Sequence, residues 1–85
     1  MSSALDVRLY ETAAAAPGIC SHDQDLIVDL CIDAVAIALD VDVSHRGRTA
    51  RSAVQLLLAE AVPHLPADNR GELARLCELV VVRGL

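Results

Sequence analysis

Apolar residues recur along most of this chain at intervals of three and four positions, the spacing that places side chains on one face of an α-helix. The pattern is clearest near the C-terminus, where one arc of the helix carries Leu73, Leu76, Cys77, Val80 and Val81. A similar arc precedes it and consists of Ala50, Ala53, Val54, Leu57, Leu58 and Ala61. Prolines and glycines interrupt the periodicity and divide the chain into four predicted helices.

The first two helices are separated by a Pro-Gly pair. We predict the first helix over residues 3–16, because the Pro-Gly pair that follows stops it. We predict the second over residues 21–40. Ser21 and Gln24 stand at the spacing of a capping box, which marks Ser21 as the start of this helix.

The last two helices are separated by two further prolines. The third is predicted from residue 48 or 49 to residue 62, because Pro63 disfavours helix at the residue before it. The fourth starts after Pro66 and ends at residue 83, where Gly84 suits the left-handed residue that closes many helices. The third and fourth helices then form an antiparallel hairpin.

These elements predict an all-α fold, a compact four-helix bundle-like domain that spans residues 1–85. One alternative stays open. Residues 39–43 alternate between apolar and polar, and residues 79–83 contain three successive valines, so the two segments can pair as a small two-strand ribbon in an α+β fold. We favour the all-α fold because an isolated pair of strands is marginally stable.

The second helix is apolar around most of its circumference. Such a helix is normally buried on most sides, so we expect it to be central in the bundle or to meet a second chain in a homodimer. The expected core consists of Leu5, Leu9, Leu26, Leu30, Val35, Leu39, Val54, Leu57, Leu58, Leu73, Leu76, Cys77 and Val80.

The amino-acid composition argues against two classes of protein, disordered chains and membrane-spanning chains. The chain has 85 residues, 54% of them hydrophobic, and a net charge of −5. That apolar content excludes a disordered chain, and no stretch approaches the ~20 apolar residues of a membrane span. We therefore expect a soluble cytoplasmic protein. All seven basic residues are arginine, which favours a GC-rich bacterial or phage genome.

No pattern for catalysis, a metal or a cofactor is present in the sequence. The three cysteines are an odd number without the spacing of a zinc motif, and we interpret them as small apolar residues. No glycine-rich phosphate loop occurs, and nothing supplies the activating group of a Cys–His pair. We therefore expect no enzyme activity, no metal site and no cofactor.

A stripe of aspartates on the second helix is the sharpest signal. Asp25, Asp29, Asp33 and Asp40 fall within about 80° of arc on a helix that is otherwise apolar. Two interpretations follow. The stripe either keeps the helix soluble, or presents a negative ridge to a basic partner.

The positive charge of the chain lies mainly in its second half. Residues 1–43 carry a net charge of −7 and residues 44–85 a net charge of +2. Arg46, Arg48, Arg51 and Gln55 cluster at the start of the third helix, where they either bind an anion or nucleic acid, or pair with neighbouring acids. The segment resembles a helix-turn-helix only loosely, since its turn carries aspartates that would repel phosphate.

We therefore expect a small acidic protein-binding module, a regulator, inhibitor or small subunit of a larger assembly. Its partner is another protein, and a nucleic-acid-handling partner would be bound through the aspartates in the way of a DNA mimic, as in some anti-CRISPR or anti-sigma proteins. The alternative function is a dimeric helix-turn-helix-type DNA-binding regulator that uses the arginines of the third helix.

Overall fold

The computed structural model describes residues 4–84, which form four α-helices joined by short connections. The elements are α1 (Ala4–Ala14), α2 (Ser21–Leu39), a single 3-10 turn (Val43–His45), α3 (Arg46–Ala61) and α4 (Ala67–Arg83). The predicted all-α fold is confirmed.

The alternative with a two-strand ribbon is wrong, since residues 4–84 contain no strand. Residues 79–83 continue α4, whose end is closed when the N–H of Gly84 donates to the carbonyl of Val80 at 2.8 Å. Gly84 has a φ of +70°, a conformation that glycine adopts without a steric penalty. Leu39 ends α2, residues 40–42 form the connection, and Val43 begins the 3-10 turn.

The predicted ends of the helices shift by one or two residues. α1 ends at Ala14, because Pro17 disfavours helix at Ala16, whose N–H donates to the carbonyl of Ala13. The predicted start at Ser3 lies outside the described residues. Cys20, one residue earlier than predicted, is the N-cap of α2, and its own side chain makes no capping hydrogen bond.

The start of α3 shows a larger difference from the sequence prediction. α3 begins at Arg46, two or three residues before the predicted start at residue 48 or 49, because the 3-10 turn leads directly into it. Gly47 does not break this helix. An added Cβ at Gly47 would lie 2.9 Å from Cγ2 of Val82, so glycine lets α3 approach the end of α4 closely.

α3 and α4 form the predicted hairpin. Contacts between Gly47 and Val82, Arg51 and Glu78, and Gln55 and Arg70 run in opposite directions along the two helices, so α3 and α4 are antiparallel. α2 packs against the other three helices, and α4 also contacts α1. The molecule measures 36 × 28 × 17 Å, and each of the four helices has residues exposed to solvent.

Small residues fill much of the core. Ala13, Ala34, Ala38 and Ala50 are fully buried, together with Leu9, Ile27, Cys31, Val54, Leu58, Val62, Leu73 and Cys77. Most of the predicted core residues are buried or pack against the buried cluster. Val80 is half-buried and does not belong to this cluster. The placement of Leu39 in the core is wrong. Leu39 is 49% exposed, because the last turn of α2 places it on the side away from the bundle.

Candidate binding surface

The side of α2 that faces away from the bundle carries both carboxylates and large apolar side chains. We call this surface the outer face of α2, and it consists of exposed residues only: Asp25, Asp29, Ile32, Asp33, Ala36, Ile37, Leu39 and Asp40. Asp40 is the C-cap of the helix, and the others lie within it. The four aspartates that the sequence singles out are thus placed on one surface.

These aspartates lack a basic counterpart within the fold. In residues 4–84, the ion pairs join Arg51 to Glu78, His64 to Asp23 and Arg75 to Glu72. None of them involves an aspartate of the outer face. The exposed carboxylates of Asp29, Asp33 and Asp40 thus have no cation partner within residues 4–84, and a basic group that approaches from outside can pair with them.

Tyr10 attaches α1 to one end of the outer face. Its hydroxyl donates a hydrogen bond of 2.9 Å to Oδ1 of Asp25. This hydrogen bond raises the pKa of the Tyr10 hydroxyl above its usual value of 10.0, with further contributions from desolvation and from the charges of Asp25, Asp29 and Asp6. Among residues 4–84, Asp25 is thus the one aspartate of the stripe whose carboxylate has a partner, and Tyr10 brings an aromatic ring to the surface.

The sequence indicates a surplus of apolar residues on α2, but it leaves open which of them lie in the core and which on the outer face. Ile32 is 39% exposed and Ile37 is 49% exposed, so these two side chains lie on the outer face. The inward positions are taken by Ile27, Val28, Cys31, Ala34 and Ala38. The signal in the sequence was the spacing of Ile32, Ala36 and Leu39, which repeats at four and three residues on the side of the aspartates.

The residues proposed for anion or nucleic-acid binding are mostly engaged within the fold. Arg51 forms a 2.8 Å ion pair with Glu78, and Gln55 accepts a 2.7 Å hydrogen bond from Nε of Arg70. Of the four candidates, only Arg48 has no hydrogen-bonded or ion-paired partner in the part of the chain that the structure describes.

Arg46, the fourth candidate, holds the end of α2. Its Nε donates to the carbonyl of Val41 and its Nη2 donates to the carbonyl of Leu39, both at 3.1 Å. These carbonyls follow the last turn of α2, where a helix leaves acceptors unpaired and where a positive charge is favourable. The guanidinium therefore serves as a cap that fixes the connection between α2 and α3.

Replacing Arg46 with alanine is expected to lower the free energy of unfolding by about 1 kcal/mol, because two backbone carbonyls lose a charged donor. The matched control is Arg48→Ala, which removes the same side chain two residues on and is expected to change stability by less than about 0.5 kcal/mol. Urea denaturation of the two variants measures both values. Equal losses would contradict the capping role of Arg46.

A second cluster joins the start of α2 to the turn between α3 and α4. Nε2 of His64 lies 2.7 Å from Oδ2 of Asp23. The hydrogen bond with His64, together with hydrogen bonds from Cys20, lowers the pKa of Asp23 below its usual value of 3.8. Within residues 4–84 no group of three or more His, Cys, Asp or Glu side chains is arranged to hold a metal ion. The contact fastens the turn to α2.

The other two cysteines lie between α2 and α4. Cys31 and Cys77 are fully buried, and the thiol of Cys77 lies 3.8 Å from the backbone carbonyl of Cys31. The hydrogen bond with Cys77 and burial raise the pKa of the Cys31 thiol. Cys31 therefore stays protonated and packs as a small apolar residue.

The described helices are too short or too polar to cross a membrane. Residues 4–84 contain no pocket for a small molecule. Comparison with protein-family models, with curated proteins and with solved structures finds no match to this chain.

Proposed function

We propose that this protein is a small acidic binding module that regulates, inhibits or completes a larger protein assembly through the outer face of α2. The observation that carries the proposal is the composition of that face. Exposed Asp29 and Asp33 have no cation partner in residues 4–84, and they lie beside Ile32 and Ile37, which are exposed on the same face.

This composition favours a basic protein surface as the partner. Covering Ile32, Ile37 and Leu39 removes apolar area from water, at about 25 cal/mol per Å². The same contact takes water away from neighbouring carboxylates, which is costly unless arginine or lysine replaces it. A basic partner is also drawn to a chain of net charge −5 during diffusion. A nucleic-acid-handling protein, with a basic groove, has this chemistry.

Catalysis is not part of the proposal, and the setting that we propose is the cytoplasm. Its reducing conditions keep thiols free, and all three cysteines are free in the structure. The exposed thiol of Cys20 is consistent with such a compartment.

The second candidate, DNA binding by α3, has weaker support. A DNA-reading helix presents several side chains to base edges and phosphates. Arg46, Arg51 and Gln55 already have partners within the fold, which leaves Arg48 as the one uncommitted candidate in residues 4–84. The net charge of −5 also opposes approach to phosphates.

Affinity capture with the tagged protein tests the choice between these functions. Bacterial lysate is divided into nuclease-treated and untreated halves, and the captured material is identified by mass spectrometry. We expect a stoichiometric protein partner that survives nuclease treatment. Recovery of nucleic acid alone, or of proteins that nuclease removes, would contradict the proposal and favour α3.

Two double variants make the capture specific for the outer face of α2. Asp29→Asn with Asp33→Asn is expected to lose the partner. Asp68→Asn with Glu72→Gln removes the same charge from an exposed i, i+4 pair on α4 and is expected to retain it. Asp25 stays unchanged because it accepts the hydrogen bond from Tyr10. Equal capture by both variants would show that the aspartates serve solubility only.

A further inference from the structure

The apolar residues on the outer face of α2 have the spacing of a helix-packing seam. Ile32, Ala36 and Leu39 are exposed and follow one another at intervals of four and three residues. That alternation is the one by which a helix presents a continuous line of side chains to a second helix. Asp25 and Asp29 extend the same line, at the same intervals, toward the start of α2. The apolar part of the seam thus covers the second half of the helix.

Ala36 leaves a shallow depression at the centre of this seam. Its side chain is a single methyl group between Ile32 and Leu39, so a second helix can approach α2 closely there while the larger side chains pack on either side. Although α1, α3 and α4 all contact α2, the seam residues stay partly open to solvent, with Ile32 39% exposed and Leu39 49% exposed. The surface therefore fits an elongated apolar stripe, such as one side of an amphipathic helix.

The negative charges beside the seam determine which kind of helix can bind there. Asp33 and Asp40 directly follow the seam residues Ile32 and Leu39 in the sequence, so they flank the seam on one side. Charges in flanking positions select the partner of a helix pair, and here they require arginine or lysine on the incoming helix. Asp29, on the line of the seam, adds a further negative charge at its beginning.

The same charges disfavour a second copy of this chain as the occupant. A two-fold pair with parallel α2 helices would place Asp29 against Asp29. An antiparallel pair centred on Ala36 would bring Asp33 of each copy toward Asp40 of the other. Both arrangements bring like charges together, and each copy carries a net charge of −5.

We propose that the element recognised by the outer face of α2 is a basic amphipathic α-helix of the partner protein, which packs along the seam from Asp29 to Asp40. This proposal rests on the proposed function and names the structural class of its partner. The incoming helix places small or medium aliphatic side chains over Ala36 and its basic residues over Asp33 and Asp40.

A pair of synthetic peptides tests the proposal. The first peptide has three heptads with leucine at the seam positions and arginine at the flanking positions. The second has the same composition in an order that distributes both residue types around the helix. We expect the amphipathic peptide to bind about tenfold more tightly than its isomer, as measured by calorimetry with the full chain.

Substitution of a single exposed alanine separates packing along the seam from attraction by charge. Ala36→Gln fills the depression at the centre of the seam and is expected to weaken binding of the amphipathic peptide about tenfold. The matched control is Ala59→Gln, at an exposed position of α3, which is expected to leave that binding unchanged. Circular dichroism confirms that both variants keep the helical content of the parent.

Each other outcome has a definite meaning. Equal binding of both peptides, lost in the Asp29→Asn and Asp33→Asn double variant, would overturn the helix proposal and leave the proposed function standing. Binding that Ala36→Gln does not change would also overturn it. A dimer in sedimentation of the unmodified chain, dissociated by Ala36→Gln, would assign the seam to a second copy instead. The capture experiment above tests the proposed function independently of the peptides.

Discussion

Leu58→Ala is expected to lower the free energy of unfolding by about 2–5 kcal/mol, the largest effect that we predict for a single substitution. Leu58 is fully buried in α3 and belongs to the central core cluster. Truncation of this side chain to alanine reduces the apolar area that is buried on folding, and it leaves a cavity that the surrounding helices fill only in part. For a domain of this size, that loss is a large share of a total stability of roughly 5–10 kcal/mol. Thermal and urea denaturation measure the change.

Leu56→Ala is the matched control on the same helix. Leu56 lies two residues earlier and is 66% exposed, so the same atoms are removed without the loss of a packed environment. We expect a change of less than about 0.5 kcal/mol. Equal destabilisation by the two substitutions would contradict the orientation of α3 in the bundle.

Ala34→Leu is expected to lower the free energy of unfolding by about 1–3 kcal/mol, although it adds apolar atoms to the core. Ala34 is fully buried on the inward side of α2, which packs against all three other helices. The four-atom side chain of leucine cannot enter that space unless the helices separate or neighbouring side chains leave their preferred rotamers. Thermal and urea denaturation measure this change in the free energy of unfolding as well.

Ala36→Leu is the control for this substitution. Ala36 is exposed on the outer face of α2, so leucine there meets solvent and alters neither the packing nor the helix propensity by much. We expect a change of less than about 0.5 kcal/mol. If Ala34→Leu proved neutral and Ala36→Leu destabilised the chain, the two sides of α2 would be assigned the wrong way round.

The helices could be predicted because breaks in the chain and periodicity agree. Proline and glycine stand at the ends of apolar arcs, and the arcs of α3 and α4 place Val54, Leu58, Leu73 and Cys77 inward, as the structure does. The residual differences lie at helix ends. There the geometry depends on contacts such as the approach of Gly47 to Val82, which neighbouring residues in the sequence do not reveal.

The orientation of α2 was harder to predict, for a physical reason. Aliphatic residues occur on every side of this helix, so hydrophobicity alone does not distinguish the buried side from the exposed one. The inward side carries Ile27, Val28 and Cys31 together with Ala34 and Ala38, whereas the outward side carries Ala36 as well as isoleucines. Ile32 and Ile37 have the same size as the buried Ile27 and face outward.

The aspartates of α2 and the arginines of α3 differ in how far their surroundings could be predicted from the sequence. The aspartate stripe was predictable, because ionised carboxylates on an apolar helix must face water or a partner. The hydrogen bonds and the ion pair that the arginines form within the fold were not predictable in the same way. The donation from Arg46 to the carbonyls of Leu39 and Val41 requires the chain to turn back between α2 and α3. The Arg51–Glu78 ion pair requires the hairpin to be formed first.

The central claim is that the outer face of α2 binds a basic protein surface. The most direct test is the dissociation constant for the nuclease-resistant partner, measured at low and at physiological salt for the parent chain and the two double variants. We expect Asp29→Asn with Asp33→Asn to weaken binding about tenfold and to reduce its salt dependence, while Asp68→Asn with Glu72→Gln preserves both. Equal affinity and equal salt dependence for the two double variants would contradict the claim.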